Sequence, residues 1–210
     1  YIHWVDFRLS APVLRSALEL DMASQGGEQP LDWIDILALA AAWRGGTGVT
    51  VADTQRAAQA LRGDTPPERL PGMAGRFFSY YRAAYGAALG GLVGHFAIRR
   101  TDPQTGEAEW IPAYGLKAFS PIAAGYPWSH YPDFGAQRSY GYARPHLGND
   151  ILGALGTPIC AVEGGTVEAL GWNRYGGWRI GIRSDDRKRY YYYAHLRQNF
   201  PYHLDLEEGD

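Results

Sequence analysis

Thr166-Val167-Glu168-Ala169-Leu170-Gly171-Trp172, Asn173-Arg174-Tyr175-Gly176-Gly177 and Trp178-Arg179-Ile180-Gly181-Ile182-Arg183 together form the stretch that decides the fold. The first segment alternates with the period of two expected of a half-buried strand. Asn173 to Gly177 carries residues suited to reversing the chain, and Trp178 to Arg183 runs back. Ser184 to Lys188 turns it again, into Arg189 to Leu196. Upstream, Ile159 to Val162 is a short apolar run that reads as a buried strand, and Glu163-Gly164-Gly165 is a tight turn. Three or four strands joined in this way predict an antiparallel sheet. Gly164-Gly165 and Gly176-Gly177 are read as supplying positive φ for turns, and neither pair belongs to a phosphate-loop motif.

Residues 94–135 are transitional. Pro103 and Gly106 lie in a polar turn between His95-Phe96-Ala97-Ile98 and Trp110-Ile111, and the Pro-, Gly- and Tyr-rich chain from Pro112 to Phe134 reads as ordered loop. His130 there is a surface or loop-packing histidine. From residue 1 to 93 the apolar positions follow helical spacing. Ser10 caps a first helix with Pro12 in its first turn, and Pro30 begins a second that Gly45-Gly46 ends. Asp53 to Leu61 is a third, and Phe77, Tyr81, Tyr85 and Leu89 stripe a longer fourth. Helices followed by strands, without βαβ alternation, give an α+β fold class. The expected division is a helical accessory domain over 1–93, a linker over 94–135 and a β domain over 136–210.

With 210 residues the chain can bury a real core as one or two domains. Its net charge of -2 provides no overall cationic field for a phosphate backbone, so no nucleic-acid partner is expected. A single cysteine excludes an intramolecular disulfide framework and a cysteine-rich zinc cluster. No stretch reaches the ~20 apolar residues of a membrane span. The chain opens on Tyr1 and stops at Glu207-Glu208-Gly209-Asp210, and both ends read as cut.

Candidate chemistry lies in the second half. In Arg144-Pro145-His146-Leu147-Gly148-Asn149-Asp150, an extended backbone points His146, Gly148 and Asp150 to one side, where a divalent metal could bridge imidazole and carboxylate. In Tyr190-Tyr191-Tyr192-Tyr193-Ala194-His195-Leu196, alternation lines up Tyr191, Tyr193 and His195, an imidazole suited to general acid–base work or to ordinary packing among phenols. Cys160 sits in an apolar run without an adjacent base and reads as a small core hydrophobe. The acid pairs Asp185-Asp186 and Glu207-Glu208 are on turns and point apart, unlike a glycosidase pair.

Taken in order, His146-Leu147-Gly148-Asn149-Asp150, then Gly156-Thr157-Pro158, Ala161, Gly165, Val167 and Gly171, then Tyr175-Gly176-Gly177, then Tyr193-Ala194-His195-Leu196, this region resembles the lysostaphin/LytM type of zinc metallopeptidase, the peptidoglycan endopeptidases. The resemblance covers about residues 136 to 210, and the helical region is similar to the accessory part of a Firmicute-type subgroup.

The resemblance implies a LytM-like (duplicated hybrid motif) β domain with a groove over one sheet. It implies Zn2+ held by His146 and Asp150, and His195 as a catalytic partner rather than a ligand. Tyr140 takes the place of an oxyanion-binding tyrosine, with Tyr142 as its competitor. The family's third ligand and second catalytic histidine belong to a His-x-His motif further along, which these residues lack. His203 does not replace it. The domain is therefore expected to be incomplete at its C-terminus, the chain as given inactive, and its zinc weakly held.

The implied partners are peptidoglycan peptides and a cell-envelope protein docking through the helical domain. The implied location is extracellular or cell-envelope, with any membrane anchor preceding Tyr1. Two non-enzymatic readings compete: a degenerate LytM-like scaffold for cell wall or protein, and a carbohydrate-binding module built on the 15 tyrosines and 7 tryptophans.

Overall fold

The structure is a computed structural model that describes residues 8–133, 135–139, 143–146 and 150–197. It is α+β, in two compact units, Tyr1–Lys117 and Ala118–Asp210. The first contains helices α1 (Ala11–Ser24), α2 (Trp33–Arg44), α3 (Val51–Leu61) and α4 (Met73–Leu89), a short 3-10 turn at Pro67–Arg69, and a hairpin of β1 (Val93–Thr101) and β2 (Ala108–Leu116). α2 is the centre of its core. Ile36 to Ala42 are completely buried, as expected of a helix apolar all round, with Val13, Ala17, Ala57, Phe78 and Tyr85 packed about it.

Local chemistry explains the helix ends. α2 begins at Trp33 with Asp32 as its cap, accepting the Ile34 N–H, so Pro30 lies before the helix and does not start it. Gly45 ends α2 in the left-handed region at φ 65, which suits glycine. α3 opens on a capping box formed by Thr50 and Asp53. Burial pushes the Asp53 carboxyl up, but hydrogen bonds from Arg44 and Thr50 outweigh this and hold it below the ordinary aspartate value. A depressed folded pKa stabilises above the unfolded value of about 3.9 and is lost as pH falls through the folded one. Asp53→Asn is therefore expected to lower stability by about 1 kcal/mol at neutral pH, with the difference from the parent shrinking below pH 4 in urea titrations.

Asp21 ties the first unit together. Its buried carboxylate accepts the Trp33 N–H at 2.9 Å, the Gln25 side-chain amide at 3.0 Å and the Tyr114 hydroxyl at 2.7 Å, linking α1 to the start of α2 and to β2. Asp21→Ala leaves these donors unmatched and is expected to cost about 2–4 kcal/mol in chemical denaturation. The hairpin corrects the reading of Pro112 onward as loop, since Pro112 lies inside β2 opposite Ala97. A two-stranded sheet has only edges, where a residue without an N–H is tolerated.

Among the described residues, the second unit holds three antiparallel sheets. β3 (Trp128–Tyr131) pairs with β6 (Asp150–Gly153), β4 (Gln137–Arg138) with β5 (Arg144–Pro145), and β7 (Gly165–Asn173), β8 (Gly177–Ser184) and β9 (Tyr190–Leu196) form a sheet in that order. β3 again falls where loop was expected. Asn173 accepts the N–H groups of Tyr175 and Gly176, and Gly177 completes the β7–β8 turn at φ 63. Gly164, Gly165 and Gly176 have no positive φ, so those turns are made differently from the expectation. The run Ile159 to Val162 is not a buried strand. It contributes one bridge, Ile122 to Ile159, and Cys160 is exposed because a single bridge covers little of it.

β9 is anchored by an ion pair. Arg189 grips Glu163 through Nε at 2.6 Å and Nη2 at 3.1 Å, and the Tyr191 hydroxyl donates to the same carboxylate at 2.9 Å. Burial, then this hydrogen bond, pushes the Tyr191 phenol up to about 12. Glu163→Ala is expected to destabilise the second unit by about 3 kcal/mol in thermal or urea unfolding, the range of a broken buried pair.

Candidate metal centre

Two short ladders assemble a cluster from residues distant in sequence. β3–β6 pairing sets Tyr131 opposite Asp150, and β4–β5 pairing sets Arg138 opposite Arg144. The His146 N–H donates to the Ala136 carbonyl at 2.8 Å, and the His146 carbonyl accepts the Gly135 N–H at 2.7 Å. Asp133, just after β3, and His146, just after β5, thereby meet Asp150 at the start of β6. Ligand atoms of the three lie within 4.8 Å of one another.

Each contact has a direction. His146 Nδ1 lies 3.0 Å from Asp133 Oδ2, and Asp133 Oδ1 accepts the Asp150 N–H at 3.1 Å. Arg138 Nη2 donates to Asp133 Oδ2 and, at 2.7 Å, to Asp150 Oδ2. It also stands 3.1 Å from His146 Nδ1. Burial pushes the Asp133 carboxyl up, but the Asp150 N–H and the neighbouring imidazole reverse this and hold it below the ordinary aspartate value. On the other side, His146 Nε2 and Asp150 Oδ1 face each other at 3.6 Å. That is too long for a hydrogen bond.

The donor set fits a divalent cation. Tetrahedral zinc with nitrogen and oxygen ligands at about 2.0–2.2 Å separates the two donor atoms by roughly 3.4 Å, close to the 3.6 Å seen here. The cluster already attracts a cation, since the Arg138 guanidinium contacts all three residues. His146 Nε2 and Asp150 Oδ1 thus converge. Gly148 between them, Tyr140, Tyr142 and His203 lie outside the described residues.

His195 is at the end of β9 in the three-stranded sheet, and among the described residues no hydrogen bond joins it to His146 or Asp150. Strict alternation does not reach it. Ile180 pairs with Tyr193 and Trp178 with Leu196, so Ala194 and His195 together oppose Arg179 in a bulge. His195 has φ 55 and donates its N–H to the Gly176 carbonyl at 2.7 Å. Tyr191 and Tyr193 turn inward, Tyr193 accepting the Val162 N–H at 2.8 Å, while His195 is exposed. The expected row of Tyr191, Tyr193 and His195 is therefore broken. A bulge and a left-handed non-glycine residue are features that re-aim functional side chains.

Asp133 and Arg138 were missed from sequence. Asp133 stood in the presumed linker and Arg138 outside any motif, and no fixed spacing relates either to His146. Their signal is tertiary.

Residues 144–208 match the model of Peptidase family M23, so this region is similar to that family, in line with the resemblance to the lysostaphin/LytM type. The chain is also 36% identical over 129 residues to the L-Ala--D-Glu endopeptidase of Bacillus subtilis (strain 168). That alignment takes in 57% of this chain and 39% of the relative, so the chain spans about two fifths of the relative's length. No solved structure matches the chain.

Proposed function

We propose that the full-length protein is a zinc-dependent endopeptidase of bacterial cell-wall peptides, located outside the cytoplasm at the cell envelope, and that the 210 residues alone, with two of the family's zinc ligands, are inactive. The observation that carries this is the pair of facing donors, His146 Nε2 and Asp150 Oδ1, within a region similar to the M23 family. His146 and Asp150 would hold the metal. Bound there, zinc supplies Lewis acidity toward a scissile carbonyl and a nucleophile at neutral pH. His195, exposed on its bulge, is free to take or give a proton at an imidazole nitrogen as the peptide bond breaks. Tyr140 is the proposed hydrogen-bond donor to the developing oxyanion. The relative's name makes an L-Ala–D-Glu bond the first substrate to assay.

The test is digestion of purified peptidoglycan and of its soluble peptides by the full-length protein, with and without chelator, products being read by mass spectrometry. Chelator-sensitive release of peptide fragments is expected. Cleavage that persists without metal would remove the metallopeptidase reading.

A scaffold reading is favoured by one observation: Arg138 bridges Asp133 and Asp150 and so offsets part of the cluster's negative charge from within the chain. It predicts cell-wall or protein binding that survives loss of both His146 and Asp150.

A further inference from the structure

We propose that Asp133, assisted by Arg138, is the positioning residue of the metal centre, fixing which atom of His146 and which of Asp150 is offered to the cation. The inference rests on the metallopeptidase reading and goes beyond it.

The argument is an accounting of hydrogens and lone pairs. Arg138 Nη2 has two hydrogens, and its two carboxylate contacts, Asp133 Oδ2 and Asp150 Oδ2, use both. The guanidinium therefore has no hydrogen left at Nη2 for His146 Nδ1, although the atoms stand 3.1 Å apart. His146 Nδ1 meets Asp133 Oδ2 at 3.0 Å. An imidazole nitrogen and a carboxylate oxygen hydrogen-bond only if the nitrogen carries the hydrogen. His146 consequently holds its proton at Nδ1, and the lone pair is at Nε2.

Asp150 is sorted in the same way. Its Oδ2 is occupied by Arg138, and its backbone N–H is bound to Asp133 Oδ1 at 3.1 Å, which fixes where the residue begins β6. Oδ1 remains, facing His146 Nε2. The two atoms that the supporting residues leave free are the two that face each other. Asp133 cannot serve equally well as a ligand, because both of its oxygens are consumed: Oδ1 by Asp150, Oδ2 by His146 and Arg138. Its burial, with 5% side-chain exposure, keeps water from competing for those bonds. A carboxylate behind a ligating histidine holds ring and tautomer in place, and losing such a partner typically weakens metal binding about 10–100-fold.

The test has two readouts, neither of which is turnover. Long-range 15N correlation spectra of the metal-free protein at pH 8, with the His146 signals assigned by His146→Ala, report which nitrogen carries the hydrogen. Zinc affinity comes from competition with a chromogenic chelator. The unmodified protein is expected to show the Nδ1–H form. Asp133→Ala should lose that preference and bind zinc about 10–100-fold more weakly. Asp133→Asn keeps one acceptor oxygen; turned to His146 it should retain the tautomer, but its NH2 then meets the Asp150 N–H, so a zinc loss smaller than in Asp133→Ala but not absent is expected.

An Nε2–H form in the unmodified protein overturns the proposal. So does an Asp133→Ala protein with unchanged tautomer and affinity. A loss in Asp133→Asn as deep as in Asp150→Ala would make Asp133 a ligand, and also overturns it. If Asp133→Ala fails to fold, the unmodified and Asn proteins still decide. Failure of the underlying reading looks different: the predicted tautomer is present, but zinc binds no better to the unmodified protein than to His146→Ala.

Discussion

In the full-length protein, His146→Ala and Asp150→Ala are each expected to abolish zinc binding and cell-wall cleavage together. Among the described residues, the two side chains supply the metal-facing donor atoms of this cluster that the surrounding hydrogen bonds leave uncommitted, Nε2 and Oδ1. Removing either takes away one of the two ligands this cluster offers, and the Lewis-acid contribution to the transition state, worth several kcal/mol, is lost with the ion. About 4 kcal/mol corresponds to roughly a thousandfold in rate, so activity should fall by at least that factor. Metal content by atomic emission and peptide release by mass spectrometry should move in parallel. An Asp150→Ala protein that keeps its zinc while losing activity would break the assignment of Asp150 as a ligand. One that keeps both would break the assignment of the site.

The second large effect concerns His195, which should separate catalysis from metal binding. His195→Ala is expected to leave zinc affinity within about threefold and to lower kcat by about 10²–10⁴, the span of general acid–base contributions. Its backbone complicates the choice of variant. At φ 55 the residue occupies a region that side chains with a Cβ adopt at some cost. Asparagine is among the residues most tolerant of that region. His195→Asn should therefore keep the bulge opposite Arg179 and the 2.7 Å bond to Gly176 while removing the imidazole. Equal loss in the Ala and Asn variants identifies chemistry as the cause. Recovery of activity in the Asn variant would assign His195 to shaping the strand rather than to proton transfer.

The legible parts of the molecule are those encoded over a few residues. The hairpin between β7 and β8 follows from alternation interrupted by Asn173 to Gly177, and the observed strands extend the predicted ones by one residue at each end. α3 follows from its amphipathic spacing, although Asp53, read as its start, lies two residues inside it, and Gly45 follows from the end of a periodic run. Errors arose where tertiary context outweighed local preference. Pro112 reads as a strand breaker, yet an edge position removes the need for its missing donor. Cys160 reads as core because its neighbours are apolar, yet burial needs a covering surface, and the chain supplies one bridge there. His195 reads as in phase with Tyr191, yet one extra residue in the bulge moves it out of phase.

By itself, the sequence determined the α+β class, the antiparallel sheet carrying His195, and His146 and Asp150 as a pair of candidate ligands four residues apart. Periodicity, turn chemistry and a short motif all act over distances that the chain cannot alter by folding. Only the tertiary structure decided that Asp133 and Arg138 stand behind that pair and that Nε2 and Oδ1 are the atoms left to face each other. Those bonds depend on two strand pairings, β3 with β6 and β4 with β5. The register of a ladder is set by contacts between distant segments, which no local spacing records.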